Sequence, residues 1–335
     1  MVSNNCIYIK GKLDDLLSKK AFSGYAFSLI EQDSTNIVVN GKTSHSKGAT
    51  NVKGDTLFDL ASLTKVVATV TTCLKLIEEG MLNIYEDVDR YLPDYPHKSV
   101  KVINLLNHTS GHAPGIKSYS DLTMDTDIRE RVKESLYKEN DFQYSDINYI
   151  YLSDIIEKVT GDFDKYFKEK ILLPLRMNKT TFNPKSFGYK DFCASEVCRF
   201  RGLVNGDVHD ELAYLLGGIS GNAGLFSNIE DLTIFAKMLI DGGNYYDKNI
   251  LSGKSMDLLK RITTPENVRS RSLGWLIDKN KIYHTGFTGT SCIVDFNEQK
   301  GLIILTNRVH PSRYNIDLLE VRNEIHRKLF RYNNF

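Results

Sequence analysis

The chain has 335 residues, and its 43 Lys plus Arg nearly balance 42 Asp plus Glu, leaving a formal charge of +1. That balance gives no field to steer the protein onto nucleic acid or anionic lipid, so neither is an expected partner. With 41% hydrophobic and 25% charged residues, 23 Gly and 7 Pro, the composition excludes a disordered or fibrous chain and allows one large domain or two smaller ones.

The N-terminal stretch MVSNNCIYIKGKLDDLLSKK reaches charge before any apolar run develops, unlike a signal peptide. Five scattered cysteines (Cys6, Cys73, Cys193, Cys198, Cys292) are an odd set that argues against a disulfide framework. Both features predict a cytoplasmic protein, or an exported one if the native chain begins earlier. The uncharged core of 212–229 is rich in Gly, Ser and Asn and reads as a buried or loop region, not a membrane span.

After an amphipathic start (Leu13, Leu16, Leu17, Phe22), the alternation over 25–30 and 37–39 predicts two strands joined by the polar segment EQDSTN. Helical periodicity follows over 62–79, 125–138 and 145–160. Towards the C-terminus, KIYHTG, SCIVDF and GLIILTN read as further strands, and 314–330 carries the apolar stripe of a closing helix. Strands at both ends with helices between predict that the termini meet in one sheet. The expected architecture is a single two-lobed domain: an α/β lobe of about 1–60 and 215–335 and a mainly helical lobe of about 61–214, with a site in the cleft between them.

Several motifs fail on inspection. GKT at 41–43 lacks the glycine of a phosphate loop and is better read as an Asn-Gly turn; GGISGN at 217–222 ends in Asn222 where a nucleophile elbow needs glycine. His108 and His112 stand four apart with Ser110 and Gly111 between them and no accompanying glutamate; Cys193 and Cys198 have no second pair. No metal and no cofactor are expected.

The segment FDLASLTKVVATVTTCLKLIEEG is more informative. Between Val66 and Ile77 only Lys75 is charged, so the helix reads as buried, yet its first turn carries Ser62 and Lys65. Three residues apart, they share a face. A buried ammonium must be paired or neutralised, and a lysine of depressed pKa can act as a base toward a neighbouring hydroxyl. The plainer alternative is Ser62 as a helix cap with Lys65 reaching the surface. Two later motifs join it: YSD at 144–146, where Ser145 or Asp146 could simply cap the next helix, and HTG at 284–286 on a strand entering a glycine-rich turn.

In this order SLTK, YSD and HTG resemble the motifs of the penicillin-recognising serine hydrolases, the β-lactamase and penicillin-binding protein superfamily. The likeness is nearest to the branch holding class C β-lactamases, D-alanyl-D-alanine carboxypeptidases and related esterases. LLNHTSGHAPG, GGISGNAGLFS and HTGFTGTSCIVDF running into LTNRVHP extend it from about residue 26 to 311. The resemblance implies an α/β (α+β) fold of the β-lactamase/transpeptidase type, an antiparallel sheet flanked by N- and C-terminal helices beside a helical lobe. It also implies roles: Ser62 as nucleophile, Lys65 as proton relay, Tyr144 as general base and acid held near phenolate by positive charge, and an oxyanion hole from the backbone N–H groups of Ser62 and Phe287. His284, Thr285 and Gly286 would line the substrate edge.

Two positions depart from β-lactamases of this branch. Asp146 replaces an asparagine and would hold Lys65 charged; His284 replaces a lysine that binds the substrate carboxylate and is expected to be neutral. Both weaken the case for an efficient β-lactamase. The resulting expectation is a serine hydrolase working through an acyl-enzyme on an ester or peptide-like amide, with β-lactams as candidate covalent ligands. The alternatives are a non-catalytic scaffold of the same fold, for binding or filament formation, and a true β-lactamase or D-alanyl-D-alanine carboxypeptidase.

Overall fold

Alternation of side chains along the terminal strands divides the structure, a computed structural model describing residues 3–139, 142–199, 201–266 and 268–332, into layers. In chain order, α1 (Asn4–Ser18), β1 (Gly24–Glu31), β2 (Ser34–Gly41) and β3 (Phe58–Asp59) lead to a π-wound segment, Lys65–Val70, that continues as α2 (Thr71–Glu78). Then come α3 (Val102–Leu106), α4 (Ile128–Lys133), α5 (Asp146–Thr160), α6 (Phe163–Phe167), α7 (Leu173–Leu175), β4 (Thr181–Phe182), β5 (Val197–Cys198), β6 (Gly202–Leu203) and α8 (Glu211–Leu215). The rest comprises β7 (Leu225–Ser227), α9 (Ile229–Ile240), β8 (Asn244–Tyr245), β9 (Lys248–Asn249), α10 (Gly253–Leu259), β10 (Arg271–Ser272), β11 (Trp275–Asp278), β12 (Lys281–Thr285), β13 (Ser291–Asp295), β14 (Lys300–Thr306) and α11 (Asp317–Phe330).

The termini do meet: the order β10-β11-β12-β13-β14-β1-β2 forms one seven-stranded antiparallel sheet, in which Phe27 of β1 lies opposite Ile304 of β14. Tyr25, Phe27, Leu29, Ile293, Leu302 and Ile304 face one way, onto Ile9 and Leu13 of α1 and Leu318, Ile325 and Leu329 of α11. Their neighbours Ala26, Val294, Ile303 and Leu305 face the other way and share one continuous core with Val66, Val70, Leu152, Ile155 and Phe235. Each fully buried Val, Leu, Ile or Phe side chain among them contributes about 1.5–3 kcal/mol relative to exposure. This period-two alternation with both faces covered makes the fold mixed α/β, as the sequence pattern indicates.

Three local expectations need correction. The link between β1 and β2 is tighter than six residues, because Glu31 pairs with Ser34 and only Gln32 and Asp33 turn. The helix expected over 125–138 is confined to Ile128–Lys133: Leu136 and Lys138 are drawn into backbone bonds with Ala113 and Gly111, so tertiary pairing overrides helical propensity. The closing helix begins at Asp317 rather than Tyr314, since Arg308 Nη1 binds the carbonyls of Arg313 and Asn315 and holds that stretch as a turn. No helix among the described residues is long and apolar enough to cross a membrane.

Candidate active site

Ser62 lies just ahead of the π-wound segment, after an irregular turn. Ala61 occupies the left-handed region (φ 46°), rare for a residue with a Cβ, and Asp59 holds it there by accepting the Ala61 N–H at 2.8 Å. The other Asp59 oxygen accepts the His209 N–H at 2.6 Å. Ser62 does not cap the helix with its side chain. Its Oγ instead accepts a hydrogen bond from Lys65 Nζ at 3.0 Å.

Lys65 is completely buried and does not reach the surface. Its ammonium spends all three donors: on Ser62 Oγ, on Asp146 Oδ1 at 2.6 Å and on the Asn222 carbonyl at 2.9 Å. Burial works to lower its pKa, but the charge of Asp146 first, then that of Tyr144, prevails and raises it. Of the two outcomes left open by the sequence, pairing or neutralisation, it is pairing that is found, so this ammonium keeps its charge, with Asp146 as the residue that holds it. The Asn222 carbonyl is placed by two contacts that flank it, Leu225 N–H at the start of β7 to Thr64 Oγ1 and Thr69 Oγ1 to the Gly221 carbonyl.

The second motif sits at the start of α5. Ser145 gives its hydroxyl hydrogen to the Ala113 carbonyl, and Asp146 turns to Lys65, so neither side chain caps the helix. Tyr144 leans on His108, with ring centroids 4.5 Å apart, and faces Lys65 Nζ and the Arg271 guanidinium, each 5.2 Å from its ring centre. Its hydroxyl makes no hydrogen bond among the described residues. His108 is a support for this corner: its Nδ1 accepts the Ser145 N–H and its carbonyl accepts the Gln143 N–H. Burial, then Arg271 and Lys65, holds His108 well below the usual histidine value, so it is neutral.

His284 ends the row. It is buried on β12, 6.2 Å from the Tyr144 ring, with Nδ1 donating to the Thr285 carbonyl. Burial, then Arg271 and Lys65, keeps it neutral, as expected from the sequence. Thr285 pairs with Ser291 at the end of β12. The turn that follows is bound to the approach to Ser62, with Thr288 Oγ1 donating to the Asp59 carbonyl at 2.7 Å and Thr290 Oγ1 to that of Leu60 at 3.0 Å. Gly286 makes this approach possible, because a Cβ there would stand 2.3 Å from the Leu60 carbonyl oxygen. The Phe287 ring turns outward to stack on His209, leaving its backbone N–H, like that of Ser62, without an acceptor among the described residues.

The structure thus groups Ser62, Lys65, Tyr144, Asp146 and His284, and ties the 285–287 turn to the same corner. Sequence reasoning gave no role to Asp59, His108, Asp210, Asn222 or Arg271, of which His108 and Asn222 were named only in motifs that failed. Asp210 accepts from Asn222 Nδ2 and from the Ala213 N–H; burial, then the nearby Asp146 charge, pushes its carboxyl up to about 6. Tyr119, folded against Gly115, is pushed up by burial and then by the charges of Asp210 and Asp146. A concavity of about 750 Å³ bounded by Glu31, Asp33, Lys237 and Tyr245 lies at the opposite end of the sheet and contains none of these groups.

Comparison with known proteins agrees with this architecture. The Beta-lactamase family pattern matches residues 12–326. The N-acetylmuramyl-L-alanine amidase of Bacillus subtilis (strain 168) is 33% identical over 306 aligned positions, covering 77% of this chain and 69% of its own. The octameric penicillin-binding protein homologue from Pyrococcus abyssi superposes with a TM-score of 0.75 at 22% identity, over 98% of this chain and 78% of that one. EstCE1, a hydrolase with promiscuous acyltransferase activity, superposes at 0.74 with 18% identity, over 96% and 98% of the two chains. The fold is that of the β-lactamases and penicillin-binding proteins. The chain belongs to the Beta-lactamase family, and its relatives are hydrolases.

Proposed function

We propose that the protein is a serine hydrolase that cleaves an ester or a peptide-like amide through an acyl-enzyme on Ser62. The observation that carries this reading is the Ser62–Lys65 contact at 3.0 Å, with the lysine wholly buried and its charge held by Asp146. The ammonium donates to Ser62 Oγ, so the serine's own hydrogen points elsewhere, and its proton in the reaction is assigned to the Tyr144 oxygen acting as phenolate. Ser62 Oγ attacks the substrate carbonyl carbon, its proton passes to Tyr144, and the negative charge on the carbonyl oxygen is met by the N–H groups of Ser62 and Phe287. Tyr144 then delivers the proton to the leaving oxygen or nitrogen as that bond breaks. Water, giving its proton to Tyr144, releases the acid and restores Ser62.

A neutral His284 in place of a cation favours substrates other than efficiently hydrolysed β-lactams, which would act as slow acylating ligands. The B. subtilis relative is described as an amidase, which supports an amide within a peptide-like substrate. The test is intact-mass spectrometry after a fluorophosphonate probe, with peptide mapping. One adduct on Ser62, absent in a Ser62→Ala variant melting within a few degrees of wild type, is the expected result; no adduct on folded protein would favour a scaffold.

A further inference from the structure

Arg271 is 5% exposed, begins the edge strand β10 and has no acidic partner among the described residues. Its Nη1 donates to the Gly274 carbonyl, while Nε is buried with no hydrogen-bond partner among the described residues. The side chain is fixed by a two-residue hairpin: Ser272 pairs with Trp275, and Leu273 (φ 43°) and Gly274 (φ 89°) both take the left-handed conformation that such a turn requires. Burying a guanidinium with so few hydrogen bonds is costly relative to an apolar side chain of similar volume. What the charge faces is the ring of Tyr144, 5.2 Å away.

The neighbours of Tyr144 give this contact its meaning. Lys65, also 5.2 Å from the Tyr144 ring, is matched by Asp146 at 2.6 Å, with Asp210 close behind, so part of its field on Tyr144 is offset. His108 and His284 are neutral, and Tyr149 gives its hydroxyl hydrogen to the Leu106 carbonyl. Arg271 is the cation beside the tyrosine that has no acidic partner among the described residues. We infer that Arg271 is a positioning residue whose guanidinium holds the Tyr144 oxygen ready to take the Ser62 proton, replacing from β10 the charge that the third motif lacks. This inference rests on the acyl-enzyme reading above.

The experiment follows Ser62 labelling by a fluorophosphonate probe and turnover of an activated ester from about pH 6 to pH 10 in wild type, Arg271→Gln and Arg271→Lys. Glutamine keeps a donor for the Gly274 carbonyl while removing the charge; lysine keeps the charge, so one folded variant of the two suffices for a comparison with wild type. Arg271→Gln is expected to label about ten- to a hundredfold more slowly near neutral pH, to recover as pH rises, and to lower kcat with little change in KM. Arg271→Lys should stay within a few-fold of wild type across the range. In a Tyr144→Phe background, Arg271→Gln should slow labelling no further. A loss equal at every pH, a rise in KM alone, or a loss that persists undiminished without the Tyr144 hydroxyl would overturn the inference. Wild-type protein that never labels at Ser62 would instead overturn the acyl-enzyme reading.

Discussion

The Lys65 ammonium and the Asp146 carboxylate stand 2.6 Å apart, the first wholly buried and the second 27% exposed. This pair joins the nucleophile helix to the start of α5, and so brings the first two motifs together. Removing Asp146 strands a buried charge; Asp146→Asn should cost about 2–3 kcal/mol, while Lys65→Met combined with Asp146→Asn should recover most of it. Because the pair raises the lysine above its ordinary value, this stability is fully present below the usual lysine range and is lost as pH rises through the folded value. Urea midpoints of the two singles and the double check the coupling, and strictly additive costs would remove the pair as a determinant of stability.

Tyr144 offers the opposite contrast between fold and chemistry. Its ring packs on His108, but its hydroxyl makes no hydrogen bond among the described residues. Tyr144→Phe should therefore change stability by less than about 1 kcal/mol while slowing Ser62 acylation by about a hundredfold or more. Stopped-flow or time-resolved mass measurement of labelling, beside thermal melts, separates the two effects; a Phe variant that acylates at the wild-type rate would take the tyrosine out of the mechanism.

Why these residues were legible, and others not, follows from how local their signals are. Ser62 and Lys65 conflict with an otherwise apolar helix within four positions, and the strands around His284 announce themselves by alternation. The expected helix over 125–138 failed because Leu136 and Lys138 bond to a distant segment at Gly111 and Ala113, which no local window contains. Asp210 and Arg271 left no trace for the same reason: one matters through Asn222 and Asp146, the other through Tyr144. The identity of the lysine's partner was legible; that the pairing raises its pKa depended on a 2.6 Å contact that sequence spacing does not supply.

Gly286 tests the oxyanion geometry without touching a side chain that reacts. A Cβ added there meets the Leu60 carbonyl at 2.3 Å and Thr290 Oγ1 at 2.1 Å, so Gly286→Ala must push the 286–287 turn away from the Ser62 backbone. Displacing one of two oxyanion donors is expected to lower kcat by about a hundred- to a thousandfold with a smaller effect on KM. Steady-state kinetics on an activated ester provide the reading, and a variant with wild-type kcat would place the second donor elsewhere.

The acid side of the stability profile is set by buried histidines. His112 sits among the rings of Tyr95, Tyr137, Tyr151 and His97, with Nε2 2.8 Å from the Tyr95 hydroxyl and Nδ1 buried without a hydrogen-bond partner among the described residues. Burial, then the neighbouring His97, lowers it to about 3. Its folded value lies below the ordinary 6.5 that the unfolded chain keeps, so on acidification the unfolded state binds the proton first. Stability from this residue is complete above about 6.5 and drains away as pH falls toward about 3, at about 1.4 kcal/mol per pH unit for one proton. Asp210 runs the other way, since its raised value stabilises the fold on the acid side and is lost as pH climbs through about 6. His112→Phe keeps the aromatic packing and removes the titration, so its urea midpoint should fall less steeply between about pH 6 and pH 4 than that of wild type. Parallel slopes over that window would show that His112 takes up its proton in the folded protein as readily as in the unfolded chain.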